Sequence, residues 1–294
     1  MTELVQAIIL GLLIGGVYAL LASGLTLIFG VMNVINVAHG AFLIVAAFLT
    51  YSIWTATGLD PLVAIAITTP AMFAFGWLLY SGTVRRIREA PAAASVLLTF
   101  SLALVLEGVM GLVWGNTSHA IRPSYFNQSF RLGDFFVPKA QVYGCLVAAG
   151  VLLGLWTFLT RTWTGRAIRA SAVNPQQARL VGVNVAAVAT MTFAIGVATT
   201  GAGGSIVGVL YPFLPGSHYL WISRLLGIIV LGGMGSLPGA IAGAILIGMG
   251  ESLTSTYISP QWTTAVPYVV ILIVLLGRPQ GLLGARLRED VAAV

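Results

Sequence analysis

The sequence predicts an all-α polytopic membrane protein with about eight to nine transmembrane helices, and three observations carry that prediction. Hydrophobic residues make up 58% of the 294-residue chain and charged residues only 7%, against roughly 25% charge in ordinary globular proteins. The apolar residues fall into runs close to the ~20 residues that a helix needs to span hydrocarbon. The arginines gather between those runs, so the net charge of +6 marks membrane topology and not a nucleic-acid surface.

In chain order the runs are 4–30, 34–57, 61–84, 92–115, 139–160, 186–211, 222–236, 238–257 and 262–277. They are expected to form one transmembrane domain over 1–294. Two polar or glycine-rich breaks interrupt them, and these are expected to be broken or re-entrant segments near 33–40 and 232–239. Irregular backbone at membrane depth is tolerated only where protein or a water-filled cavity surrounds it. Small residues recur at every fourth position as Gly11, Gly15, Ala19 and Ser23, as Gly196, Thr200, Gly204 and Gly208, and as Ala240, Ala244 and Gly248. Such ridges let helix backbones approach closely, either in a static bundle or at a sliding interface.

Orientation follows from the basic residues. Arg85, Arg86 and Arg88 lie in one connection, Arg161, Arg166, Arg169 and Arg179 in a second, and Arg278, Arg286 and Arg288 in the C-terminal tail. All three fall on one side of the span list, which the positive-inside rule makes cytoplasmic. The C-terminus is then cytoplasmic, and the 116–138 loop is extracytoplasmic.

The 161–184 connection has its own local structure. Asn174 followed by Pro175 reads as an N-cap with proline at the first helical position. The short helix that follows is expected to end at Gly182, a residue suited to the left-handed conformation past a helix end.

No pattern for enzymatic chemistry is present. The only lysine, Lys139, lacks a glycine-rich phosphate loop before it. His39, His119 and His218 are dispersed, and Cys145 is the only cysteine, so neither a metal site nor any cofactor is expected. Two carboxylates, Glu107 and Glu251, fall inside apolar spans. Charge there must face protein or water and find a partner. Each is either a pathway or gating residue or a buried acid held by nearby hydroxyls, which for Glu251 would be Ser252, Thr254 and Ser255. Asn33, Asn36, His39 and Gly40 form the more informative polar cluster. A broken helix there presents backbone donors to the carboxylate of a zwitterionic solute, or else a tight connection whose asparagines cap two helices.

Four stretches together resemble one family. Gly24-Leu25-Thr26-Leu27-Ile28-Phe29-Gly30, continuing through Ile35-Asn36-Val37-Ala38-His39-Gly40, is similar to the G-L-x-L-I-F-G-x-x-x-x-I-N-x-A-H-G signature of branched-chain amino acid ABC transporter permeases. Gly165 to Ala170 with Ala178 to Asn184 resembles their coupling segment. Gly232 to Ala240 resembles their late glycine block, and Arg278-Pro279-Gln280-Gly281-Leu282 their terminal motif. Val37 stands where the family often has phenylalanine, and Thr164 where other residues are frequent.

The resemblance implies a non-catalytic permease subunit in a cytoplasmic (inner) membrane. Its partners would be a second related permease, two cytoplasmic ATP-binding subunits and an extracytoplasmic solute-binding protein. Its substrate would be a small amino acid, or in the alternative urea or a short amide. An ATPase-independent channel or secondary transporter is the rival class. Gly165, Arg166, Arg169, Ala178, Arg179 and Gly182 would form the surface coupled to ATP hydrolysis. Asn33, Asn36, His39 and Gly40, with Glu107 and Glu251, would form the pathway or its gate. Residues 211–221, with Tyr211, Tyr219 and Trp221, would line the outer mouth or face the binding protein.

Overall fold

The structure is a computed structural model that describes residues 2–83, 92–277 and 280–283. Arg85, Arg86, Arg88, Arg278, Pro279, Arg286 and Arg288, with the rest of the C-terminal tail, lie outside the described residues. The helices in order are α1 (Thr2–Met32), α2 (His39–Thr57), α3 (Pro61–Gly82), α4 (Ala92–Trp114), α5 (Lys139–Arg161), α6 (Trp163–Val173), α7 (Pro175–Leu180), α8 (Val185–Leu210), α9 (His218–Gly232), α10 (Leu237–Tyr257) and α11 (Val266–Gly277). Among the described residues, seven of them (α1 to α5, α8 and α10) are long and apolar enough to cross a membrane. The two breaks expected near 33–40 and 232–239 are the non-helical gaps after α1 and α9.

Local chemistry fixes the helix ends. Asp60 accepts from Leu62 N at 2.8 Å with Pro61 at the start of α3, and Gly58 closes α2 in the left-handed region at φ 70°. Asn184 and Ser236 cap α8 and α10 by accepting from Ala187 N and Gly239 N. Each cap satisfies a backbone donor that the helix start leaves unpaired.

Helix α8 is the centre of the bundle, with 83% of its most apolar window buried. Its small residues let three neighbours approach. Gly196 lies against Gly24 and Ile28 of α1, Gly201 against Thr68 and Thr69 of α3, and Gly204 against Leu43 and Ala46 of α2. The other two small-residue stripes meet each other, since Gly11 and Gly15 of α1 face Gly248 and Ala244 of α10. Helices in lipid gain little from the hydrophobic effect, so this close backbone packing supplies much of their association. Buried polar contacts also tie α2, α3 and α8 together, with Ser205 Oγ 2.7 Å from Thr50 Oγ1 and 3.1 Å from Thr68 Oγ1.

The 116–138 loop holds an antiparallel hairpin that the all-helical reading did not anticipate. Strand β1 (Ser129–Leu132) pairs with β2 (Phe135–Pro138), with Leu132 opposite Phe135. Gly133 turns the chain at φ 64°, the geometry of a two-residue hairpin turn. Gln6 bonds Phe136 through both its amide atoms, so the start of α1 sits at the hairpin end of the bundle. The 161–184 connection is an elbow of two short helices, α6 and α7, at the opposite end of α5.

Candidate functional site

The break after α1 lies within the bundle. Asn33 ends α1 in the left-handed region at φ 52°, a conformation that asparagine tolerates better than most residues. The chain then doubles back, and His39 Nε2 comes within 3.3 Å of Leu21 O. Leu21 stands eleven positions before the end of α1, which is about 16 Å of helix. Helix α2 therefore starts beside the middle of α1. Thr99 of α4 braces the extended piece, accepting from Val37 N at 3.2 Å and donating to Ile35 O at 3.3 Å.

Of the four residues singled out in this stretch, Asn33 is exposed and the other three are buried. Asn36 is fully buried, and among the described residues neither of its amide atoms has a hydrogen-bond partner; His39 Nδ1 is likewise unpaired among them. Asn36 does not cap α2, whose N-cap is Ala38 without a side-chain bond. Gly40 explains why two helix starts can touch. A Cβ there would sit 2.5 Å from His218 O and 3.0 Å from Ile222 N, so only glycine lets α2 and α9 begin against each other.

The two membrane carboxylates are both paired. Glu107 Oε2 lies 3.0 Å from His218 Nε2 and accepts from Tyr219 Oη at 2.9 Å, tying α4 to the first turn of α9. Glu251 is held differently from the hydroxyl-neighbour alternative. Its Oε1 accepts from Arg224 Nε at 2.7 Å and its Oε2 from Tyr18 Oη at 2.6 Å. Ser252 bonds Ala7 O instead, at 2.7 Å. The Arg224 guanidinium also lies over two rings, 5.2 Å from Tyr18 and 4.9 Å from Trp221, where the ring faces attract a cation.

Sequence reasoning missed Arg224, although a signal was there. It is a lone cation in an apolar run, and Glu251 is a lone anion in the next; such charges in hydrocarbon should find each other. The pair opens on a cavity of about 300 Å³ bounded by Tyr18, Gln141, Tyr211 and Ser252 among others. Trp221 is buried edge-on to Tyr211 at 5.5 Å, whereas Tyr219 is exposed. Burial pushes the Tyr211 phenol above its ordinary pKa.

The elbow presents a mixed surface. Thr162 caps α6 by accepting from Gly165 N at 3.0 Å, and Asn174 caps α7 by accepting from Gln176 N and Gln177 N, both at 3.0 Å. Gly165 and Ala178 are buried, Gly165 against Phe158 and Leu159 of α5. These two shape the elbow. Arg166, Arg169, Arg179 and Gly182 are on its surface, and among the described residues none of the three arginines forms an ion pair. Gly182 takes φ 83° just past α7. Beside the arginines, Trp163, Val173, Leu180 and Val181 are each more than three-quarters exposed. Clustered exposed apolar residues of this size mark an interaction surface.

A bundle with internal breaks, a buried ion pair at a cavity and an exposed elbow is the build of a membrane transport subunit. The chain belongs to the family described as branched-chain amino acid transport system permease components, which matches residues 7–275. It is 30% identical over 292 residues to the high-affinity branched-chain amino acid transport system permease protein LivH of Salmonella typhimurium, with 93% of each chain covered. It is 29% identical over 293 residues to the corresponding protein BraD of Pseudomonas aeruginosa, covering 95% of each. It also shares 29% identity over 159 residues with the fructose import permease protein FrcC of Rhizobium meliloti, covering 51% of this chain and 42% of that one. No solved structure matches the chain.

Proposed function

We propose that this chain is the permease subunit of an ATP-binding-cassette importer that carries branched-chain or related amino acids across the cytoplasmic membrane by alternating access. The observation that carries the reading is its similarity, over nine-tenths of its length, to permeases named for branched-chain amino acid transport. It works with a second related permease, two cytoplasmic ATP-binding subunits and an extracytoplasmic binding protein. The elbow and the C-terminus face the cytoplasm, and the hairpin faces outward.

The chain has no phosphate loop of its own, so free energy enters through contact. Closure of the ATPases pushes on Arg166, Arg169, Arg179 and Gly182, over the packed Gly165 and Ala178. The rigid helices convert that push into a change of access. Asn33, Asn36, His39 and Gly40 form the gate, and Glu107 and Glu251 lie along the pathway. The unpaired polar atoms of Asn36 and His39 support a gate role, because they would find partners in a second arrangement of the break.

The partial likeness to a fructose permease favours a second reading, in which the same machine carries a solute other than an amino acid. Its coverage is about half, against nine-tenths for the amino-acid permeases. Competition decides between the cargoes. In proteoliposomes holding the full complex, excess leucine should suppress uptake of labelled isoleucine, and excess fructose or urea should not. Suppression by either of the latter alone would overturn the amino-acid assignment.

A further inference from the structure

The Arg224–Glu251 pair uses only part of its bonding capacity. The guanidinium gives its Nε to Glu251, and among the described residues its two terminal nitrogens make no hydrogen bond. Side-chain exposure is 13% for Arg224 and 8% for Glu251, and both side chains line the cavity. A guanidinium presents five donors in a planar fork matched to a carboxylate. Most of this fork is idle.

A second buried group is idle nearby. Among the described residues, Gln141 Oε1 of α5 is buried without a partner, and Gln141 borders the same cavity. An unpaired buried acceptor costs stability, so a ligand donor that reaches it gains what the free protein forfeits. Tyr211 Oη adds a polar atom, 3.5 Å from Tyr18 Oη. Leu10 and Ile14 of α1 supply an apolar wall. The cavity, at about 300 Å³, falls at the small end of ligand sites. It lies between the early part of α1 and the late part of α10, next to the 260–263 turn, and so towards the hairpin end.

We infer that this cavity is a docking station for a small zwitterionic α-amino acid inside the permease. The solute carboxylate lies on the free edge of Arg224, its ammonium is accepted by Glu251 and Gln141 Oε1, and its side chain rests on Leu10 and Ile14. The ion pair keeps the empty site neutral, and a zwitterion adds no net charge when it enters. A solute released at the hairpin end meets this station before the break at 33–40. This rests on reading the chain as an amino-acid permease.

The test uses the permease–ATPase complex purified without a binding protein. Thermal unfolding is followed with millimolar leucine, with leucinamide (no carboxylate) and with 4-methylpentanoate (no ammonium). Leucine should raise the unfolding temperature of the wild type, and neither analogue should. Gln141→Leu removes an idle acceptor, so without ligand it should unfold at the wild-type temperature or above. It should nonetheless lose the leucine response and, in the full complex, raise the KM for uptake about tenfold. Arg224→Lys keeps the charge opposite Glu251 without the fork and should do the same.

No leucine response in the wild type, or equal responses in the wild type and both variants, overturns the docking station. If the wild type imports leucine with ATP and both variants match it, only this inference falls. If the wild type imports no leucine, the amino-acid reading falls as well.

Discussion

The break at 33–40 and the cavity at Arg224 hold polar atoms inside the same apolar bundle in opposite ways. At the break, Asn36 and His39 are closed off from solvent with amide and imidazole atoms unpaired. At the cavity, charged groups stand beside open volume, each carboxylate oxygen of Glu251 has a donor, and Gln141 Oε1, unpaired among the described residues, borders that open volume. An unpaired buried polar group costs roughly 1–3 kcal/mol, so any arrangement of the break that pairs these atoms gains by about that amount. That difference fits the roles proposed for them, the break as a gate and the cavity as a binding site.

Substitutions separate the two. The largest effect is expected at the ion pair. Arg224→Leu strands the Glu251 carboxylate, and breaking a buried pair on one side costs about 3–5 kcal/mol. Thermal unfolding in detergent should show a large drop, and Arg224→Met combined with Glu251→Leu should recover most of it. A silent single variant would mean that the pair is not desolvated. Gly40→Ala comes next, because its new methyl meets the backbone of His218 and overpacking costs roughly 1–3 kcal/mol. Unfolding should occur at lower temperature, and a neutral result would show that α2 and α9 do not start in contact.

Asn36→Leu should have the opposite sign, with stability unchanged or higher by about 1 kcal/mol because two stranded atoms disappear. Uptake should fall severalfold. Wild-type uptake in that variant would remove the break from the mechanism. Arg169→Glu should have the smallest effect on stability, within roughly 0.5 kcal/mol for an exposed site. Stimulation of the partner ATPase should nonetheless drop, and unchanged stimulation would clear the elbow of a coupling role.

Much of this architecture is legible in the residues, and the rest depends on which helices meet. Run length alone marks the long helices, because hydrocarbon thickness sets a length that few other constraints impose. Asn174-Pro175 and Gly182 announce α7 because capping and left-handed termination are local. The hairpin had a local signal too, Gly133-Asp134 between Phe130-Arg131-Leu132 and Phe135-Phe136-Val137, overlooked in a chain dominated by helical runs. Within the candidate site, the polar break at 33–40 is visible in sequence, but its depth is not. That depth comes from His39 meeting Leu21, a tertiary contact. The pairing of Arg224 with Glu251 joins separate helices, and only the rule that lone membrane charges seek partners pointed to it.

The most direct test of the account is leucine uptake into proteoliposomes that contain the assembled complex, compared with and without ATP and with and without the ATP-binding subunits. Accumulation against a gradient is expected only when both are present. Equal uptake without the ATP-binding subunits would contradict it.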